Sequence, residues 1–280
     1  MLRLRGTYNP SVTEPEPPLR RHRRAVASSS ETSASPQAPR RHRVSVIGVI
    51  GEILITAGVL ALLYVSWQMW WGDSIIGAQQ NSVGNSLSQQ WQTEATTEPS
   101  PSPTTSGEPV TAAPPDLPQP ANAQIFATMH IPRFGSDYNV AIAGGVTRQG
   151  TLDPIGIGHY PGTQMPGQEG NFALAAHRTT FGAPFHRIAD LHVGDAIVVE
   201  TPDGWYTYRF RTLEYVKPTA VDVLLPVPQV PDVPASGRYM TMTSCSPMYS
   251  ADERIVAYSV FESFTPRSAG PPASLTEVSP

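Results

Sequence analysis

Residues 195–210 read DAIVVETPDGWYTYRF. Two runs of β-branched and aromatic residues flank Thr-Pro-Asp-Gly, whose residue types suit a tight chain reversal. The stretch predicts a β-hairpin, and its second strand continues through RTLEYV to residue 216. The same strand chemistry recurs on both sides: IFATMHIPRF (125–134), YNVAIAGGV (138–146), NFALAAHR (171–178), YMTMTSC (239–245) and RIVAYSVFESF (254–264). YMTMTSC alternates polar and apolar residues with the period of two that a half-buried strand requires. FGAPFHRIADL (181–191) reads as a short helix. Several short strands separated by Gly- and Pro-rich loops predict an all-β barrel or sandwich between residues 123 and 265.

The rest of the 280 residues has a different composition, and the 30 prolines are about twice the usual share. Residues 44–71, VSVIGVIGEILITAGVLALLYVSWQMWW, form an apolar run longer than the roughly 20 residues a helix needs to cross a bilayer. Arg40, Arg41 and Arg43 flank one end, and Tyr64, Trp67, Trp70 and Trp71 crowd the other. That asymmetry predicts a retained single-pass plasma-membrane anchor with residues 1–43 as a basic cytoplasmic tail and the bulk of the chain outside. Glu52 falls inside the span, where a charge is costly. The tail holds nine Arg against three Glu, or +6, so with a net charge of −4 the remainder carries −10. An acidic folded part without a basic patch argues against nucleic acid as a partner. Residues 72–122 read as a polar stalk and Pro/Ser/Thr-rich linker that spaces the barrel from the bilayer, and 266–280 as a disordered tail.

Cys245 is the one cysteine, so no disulfide framework exists. It ends a predicted strand, and Ser246-Pro247 breaks the pattern after it. A thiol attacks a carbonyl as thiolate, and a nearby histidine usually supports that state. Of seven histidines, His177 ends a strand just as Cys245 does. Arg254 opens the last strand nine residues after Cys245; it reads either as a surface ion pair with Asp252 or Glu253, or as a guanidinium brought near the thiol by antiparallel pairing.

TMTSC at 241–245, with Arg254 downstream and His177 upstream, resembles the sortase signature TLxTC followed by Arg and preceded by His. GHYPGTQMPGQEGNFALAAHRTTFGAPFHRI (158–188) and CSPMYSADERIV (245–256) resemble the class E sortases of high-GC Gram-positive bacteria. Met242 stands in place of the usual Leu, Ser244 in place of Thr, and Ser246 where His is often seen; these departures bear on substrate preference. The resemblance implies a closed eight-stranded barrel with one or two short helices. It implies a cysteine transpeptidase that cleaves LAxTG- or LPxTG-type sorting signals between Thr and Gly through a thioester on Cys245. His177 would be the acid–base group and Arg254 the oxyanion and backbone clamp. The acceptor would be a peptidoglycan-precursor amine, and the loop at 217–238 would cradle the signal's apolar residues. Tyr160 and Thr243 are candidates for substrate contact, although Tyr160 reads equally well as a core tyrosine. The resemblance implies no cofactor, and the sequence has no cluster with metal-ligand spacing. Two rival classes stay open: a cysteine hydrolase built on the same residues, and an anchored binding domain with a structural Cys245.

Overall fold

The computed structural model describes residues 45–97 and 113–279. Part of the expected linker, residues 98–112, and all of the tail expected to be cytoplasmic, residues 1–43, lie outside those residues. The chain divides into two units, Met1–Glu52 and Ile53–Pro280. The first is described only over its last eight residues, which open helix α1, Val46–Thr97. Among the described residues this is the one helix long and apolar enough to cross a membrane. Apolar side chains such as Ile55, Leu62 and Leu63 are exposed along it.

The second unit contains a closed barrel. Its strands are β1 (Ile125–His130), β2 (Asn139–Gly144), β3 (Ile157–His159), β4 (Gly170–Ala176), β5 (Ala196–Thr201), β6 (Gly204–Val216), β7 (Arg238–Ser246) and β8 (Glu253–Pro266). The order around the barrel is β1-β2-β3-β4-β7-β8-β6-β5, closed by β5 on β1. The hairpin that decided the fold pairs Thr201 with Gly204 across Pro202-Asp203, and Gly204 takes φ 153, a value that favours glycine. Closure leaves no unpaired sheet edge. Inward residues Met129, Ile142, Phe172, Leu174, Ile197, Tyr206, Met240, Met242 and Ile255 form one core. Each large apolar side chain buried there contributes about 1.5–3 kcal/mol. Leu174, fully buried, would cost about 2–5 kcal/mol if cut to Ala.

Two of the pairings are parallel, β2 with β3 and β4 with β7. A parallel pair brings the C-terminal ends of its strands to the same end of the barrel. For β4 and β7 those are the ends that lead to His177 and Cys245.

Three expectations need correction. Residues 72–97 are not a free stalk but the continuation of α1, and 80–91 dock on the barrel. Ser88 Oγ donates to Glu200 Oε2 (2.7 Å), Asn139 N donates to Asn81 Oδ1 (3.1 Å), and Trp91 is buried with Arg267 over its ring. Apart from Trp91, the face that docks is Gly, Asn, Gln and Ser, which hydropathy alone reads as solvent-exposed. The end of the expected linker also lies on the barrel: Leu117 packs on the core, Gln119 Nε2 donates to Thr163 O (2.7 Å), and Asn122 bridges Gly144. Second, 266–280 is ordered over its described residues, with 3₁₀ turns at Arg267–Ala269 and Ala273–Leu275. Leu275 covers Trp205, Ser274 bonds Thr207 (2.9 Å), and Ser279 N donates to Asp195 Oδ1 (3.1 Å). Arg267 is itself buried, paired with Glu200 (2.9 Å) and stacked on Trp205 (4.5 Å). Burial alone would raise the Glu200 carboxyl, but His130, Ser88 and Arg267 outweigh it and hold it below the usual carboxylate range. Third, 181–191 is not a helix. Only Ile188–Asp190 makes a 3₁₀ turn, because Thr180, Phe181, Gly182 and Ala183 all take positive φ.

Candidate active site

Strand alternation decides which side chains reach the site. In β7, Met240 and Met242 point into the core, so Thr241, Thr243 and Cys245 point out. In β4, Phe172, Leu174 and Ala176 point in, so Ala173 and Ala175 point out. Ala175 pairs with Thr243 at the end of the parallel register, and His177 and Cys245 each follow two residues further along their chains. On the other side of β7, Cys245 pairs directly with Arg254 of β8. Cys245 and Arg254 thus face each other across β7 and β8, and His177 directly follows the adjacent parallel β4 at the same end of the barrel. The Cys245 thiol is a free cysteine and half-buried.

Each group is held by its surroundings. The His177 ring Nε2 lies 2.7 Å from Asp153 Oδ1, and its plane stacks on Phe181 with 5.2 Å between centroids. Asp153 follows a single π turn, Arg148–Leu152, and Arg148 Nε stands 3.6 Å from the same carboxylate oxygen. Arg148 also lies over the Phe181 ring at 5.7 Å. Arg254 does not pair with Asp252 or Glu253 as the surface reading supposed. Its Nη1 donates to the backbone carbonyls of Ala251 (3.0 Å) and Glu253 (2.9 Å), while the Glu253 carboxylate meets Lys217 (3.4 Å). Tyr160 OH and Thr243 Oγ1 are 3.0 Å apart, which ties the residue after β3 to the cysteine strand. The 217–238 loop is fastened where Asn171 Nδ2 donates to Val223 O (3.1 Å) and Leu225 O (3.0 Å).

Three other histidines, His130, His159 and His186, have structural partners. His130 Nε2 bonds Glu200 Oε2 (2.8 Å), and His186 Nδ1 bonds Arg178 O (3.0 Å). His159 is fully buried; burial lowers it to about 4, only partly offset by its bond to Gln164 O. Among the described residues no group of three or more His, Cys, Asp or Glu could hold a metal ion. Two residues at the site escaped sequence reading. Asp153 sits 24 residues before His177 in a loop with no strand or helix pattern. Arg178, buried, with its Nη1 at 3.5 Å from Cys245 O, is adjacent to a histidine that already drew all attention.

Comparison with known proteins agrees with the fold. The sortase domain family matches residues 129–262. Sortase SrtE1 of Streptomyces coelicolor is 38% identical over 232 residues, 81% of this chain and 60% of that protein. The chain thus spans about 60% of the length of that relative. Among solved structures, the SrtA sortase from Actinomyces oris aligns with a TM-score of 0.55 at 36% identity, covering 59% of this chain and 94% of that one. Sortase E1 from Streptomyces coelicolor, solved with a tripeptide in the active site, aligns with a TM-score of 0.51 at 38% identity, covering 55% of this chain and 97% of that one.

Proposed function

Because this chain belongs to the sortase family of cysteine transpeptidases, we propose that it cleaves a C-terminal LAxTG- or LPxTG-type sorting signal between Thr and Gly and transfers the new acyl end to a peptidoglycan-precursor amine. The observation that carries this reading is the pairing of Cys245 with Arg254 across β7 and β8, with His177 just past the end of the adjacent parallel β4. The Cys245 thiolate attacks the Thr carbonyl carbon, and the carbonyl electrons move to oxygen. The carbon–nitrogen bond then breaks, His177 gives a proton to the leaving Gly amine, and a thioester remains. The acceptor amine attacks that thioester, loses a proton to His177 and releases Cys245.

Supporting residues follow from their contacts. Asp153, bonded to His177 Nε2, fixes the ring and leaves Nδ1 for the reacting groups. Backbone carbonyls hold Arg254 Nη1, and its remaining N–H groups meet the oxyanion and a substrate carbonyl. Thr243 and Tyr160, bonded to each other on the same outer face, flank the signal. The tripeptide in the related Streptomyces enzyme favours a peptide substrate. The Arg-rich and Trp-rich flanks of the apolar run favour an anchored protein with its barrel outside the plasma membrane.

Incubation of the full chain with a sorting peptide and an amine, followed by intact mass measurement, tests the reading. A thioester on Cys245 and a transpeptidation product are expected, and Cys245→Ala should give neither. Release to water alone would make the protein a hydrolase of the same constellation; no reaction would leave a binding domain.

A further inference from the structure

α1 reaches the active site. Its turns from Asp73 to Ser88 lie along the barrel through one narrow face: Gly77, Gln80, Asn81, Gly84, Asn85 and Ser88 recur at the three- and four-residue spacing of a helix. Gly84 is the point of closest approach. A Cβ there would lie 2.1 Å from the backbone oxygen of Asn139, so only glycine lets the helix seat. Asn139 closes the contact by donating from Nδ2 to Asn85 Oδ1 (3.0 Å) and Ser88 Oγ (3.0 Å).

One helical stretch further toward the N-terminus, the same face grips the loop after His177. Gln80, 5% exposed, donates from Nε2 to Phe181 O (3.1 Å), and Asp73 Oδ2 accepts from Thr180 N (3.1 Å). Gly182 gives room for this contact: a Cβ on it would meet Gln80 Oε1 at 2.4 Å. The gripped loop needs holding. Thr180 (φ 66), Phe181 (φ 51) and Ala183 (φ 44) are left-handed without being glycine, a conformation that crowds Cβ against the next carbonyl. Such a run persists only where its neighbours over-determine it. Phe181 then passes the constraint on. Its ring stacks on His177 and lies under Arg148, Arg148 stands beside Asp153, and Asp153 bonds His177, which closes a ring of contacts around the imidazole.

We infer that the docked part of α1 is a positioning element for His177, with Gln80 and Asp73 as positioning residues that act through the Thr180–Phe181 backbone. The segment just beyond the membrane anchor therefore completes the active site rather than merely carrying it. The inference rests on the reading of His177 as the acid–base group.

Three variants of the full chain in detergent micelles test it. Gly84→Ala forces the helix off Asn139. Gln80→Glu keeps size and shape but removes the N–H that holds Phe181 O. Gly72→Ala makes the same helical substitution where a Cβ meets nothing within 4 Å. Sorting-peptide cleavage is measured per Cys245 that can be trapped as thioester, so unfolded protein is not counted. Gly84→Ala and Gln80→Glu should lower kcat about tenfold or more with KM within about twofold, the pattern of a lost transition-state contribution. Gly72→Ala should match the unaltered chain. If either test variant matches Gly72→Ala, or if activity falls only with the fraction folded, α1 has no positioning role. His177→Ala separates the two ideas. Turnover by that variant would remove the acid–base reading itself, whereas a dead His177→Ala beside an undiminished Gly84→Ala would remove the role of α1 alone.

Discussion

Acid should weaken this barrel through one buried ring, His159. The ring is packed against Phe172 (5.2 Å) and Phe126 (5.9 Å), and Nε2 donates to Gln164 O (3.0 Å). Burial lowers its pKa from 6.5 to about 4. The folded state therefore binds the proton less well than the unfolded state between those values. The stability this group contributes is intact above pH 6.5 and is lost as the pH falls toward 4. Each pH unit between the two values is worth about 1.36 kcal/mol, so the loss by pH 4 is about 3 kcal/mol. The perturbation is His159→Gln, which keeps an N–H for Gln164 O and cannot take a charge. Its packing cost is the same at every pH, so the quantity of interest is how the gap between the two proteins changes. Asp195 and Glu200 are also held below the usual carboxylate range, but both proteins carry them and they cancel in the difference. Urea unfolding of each full chain in micelles at pH 7.5 and pH 4, followed by near-ultraviolet circular dichroism, gives the gap. It should move by about 3 kcal/mol in favour of the variant at pH 4. A change under about 1 kcal/mol, less than a tenfold difference in proton affinity between the folded and unfolded states, would refute the reasoning.

Arg254→Lys should lose about a hundredfold in kcat/KM for sorting-peptide cleavage, because an ammonium cannot satisfy the two backbone carbonyls and the oxyanion together. A variant within about threefold of the unaltered protein would take Arg254 out of the catalytic set. Asp153→Ala should lower kcat about tenfold with little change in KM, while Asp153→Asn, which still accepts from His177, should recover most of it. Equal loss in both variants would refute the orienting role. Protease added to intact, wall-stripped cells should remove the folded domain, and its complete protection would reverse the proposed topology.

Legibility in the sequence followed the physics of each segment. β5–β6, β7 and β8 were readable because alternation and a turn with the right residues leave few other structures. β3, Ile157–His159, was missed: three residues with a glycine at their centre show no period, and the strand exists because β2 and β4 flank it. The placement of His177, Cys245 and Arg254 at strand ends was legible, but their gathering at one end of the barrel needed the parallel β4–β7 pairing, which no local pattern encodes. Asp153 was invisible because a loop residue becomes a partner only through tertiary contact. The docking of α1 was misread for a sharper reason. Apart from Trp91, its interface is built from backbone proximity at Gly84 and from amide and hydroxyl groups, so burial there leaves no apolar stripe to detect.

The docking of α1 also changes what the proline-rich segment can do. Thr97 ends a helix seated on the barrel, and residues from Leu117 onward lie on the same barrel, so the segment that joins them starts and ends on one body. Its length does not set the distance from bilayer to active site. That distance is set by α1: from Trp71, where the apolar run ends, to Gln80 is nine residues, or about 14 Å of helical rise. With the apolar run embedded in a bilayer, the enzyme works at a fixed, short stand-off. On the proposed function and topology, it would meet sorting signals as they emerge at the membrane surface, without reaching out into the wall to find them.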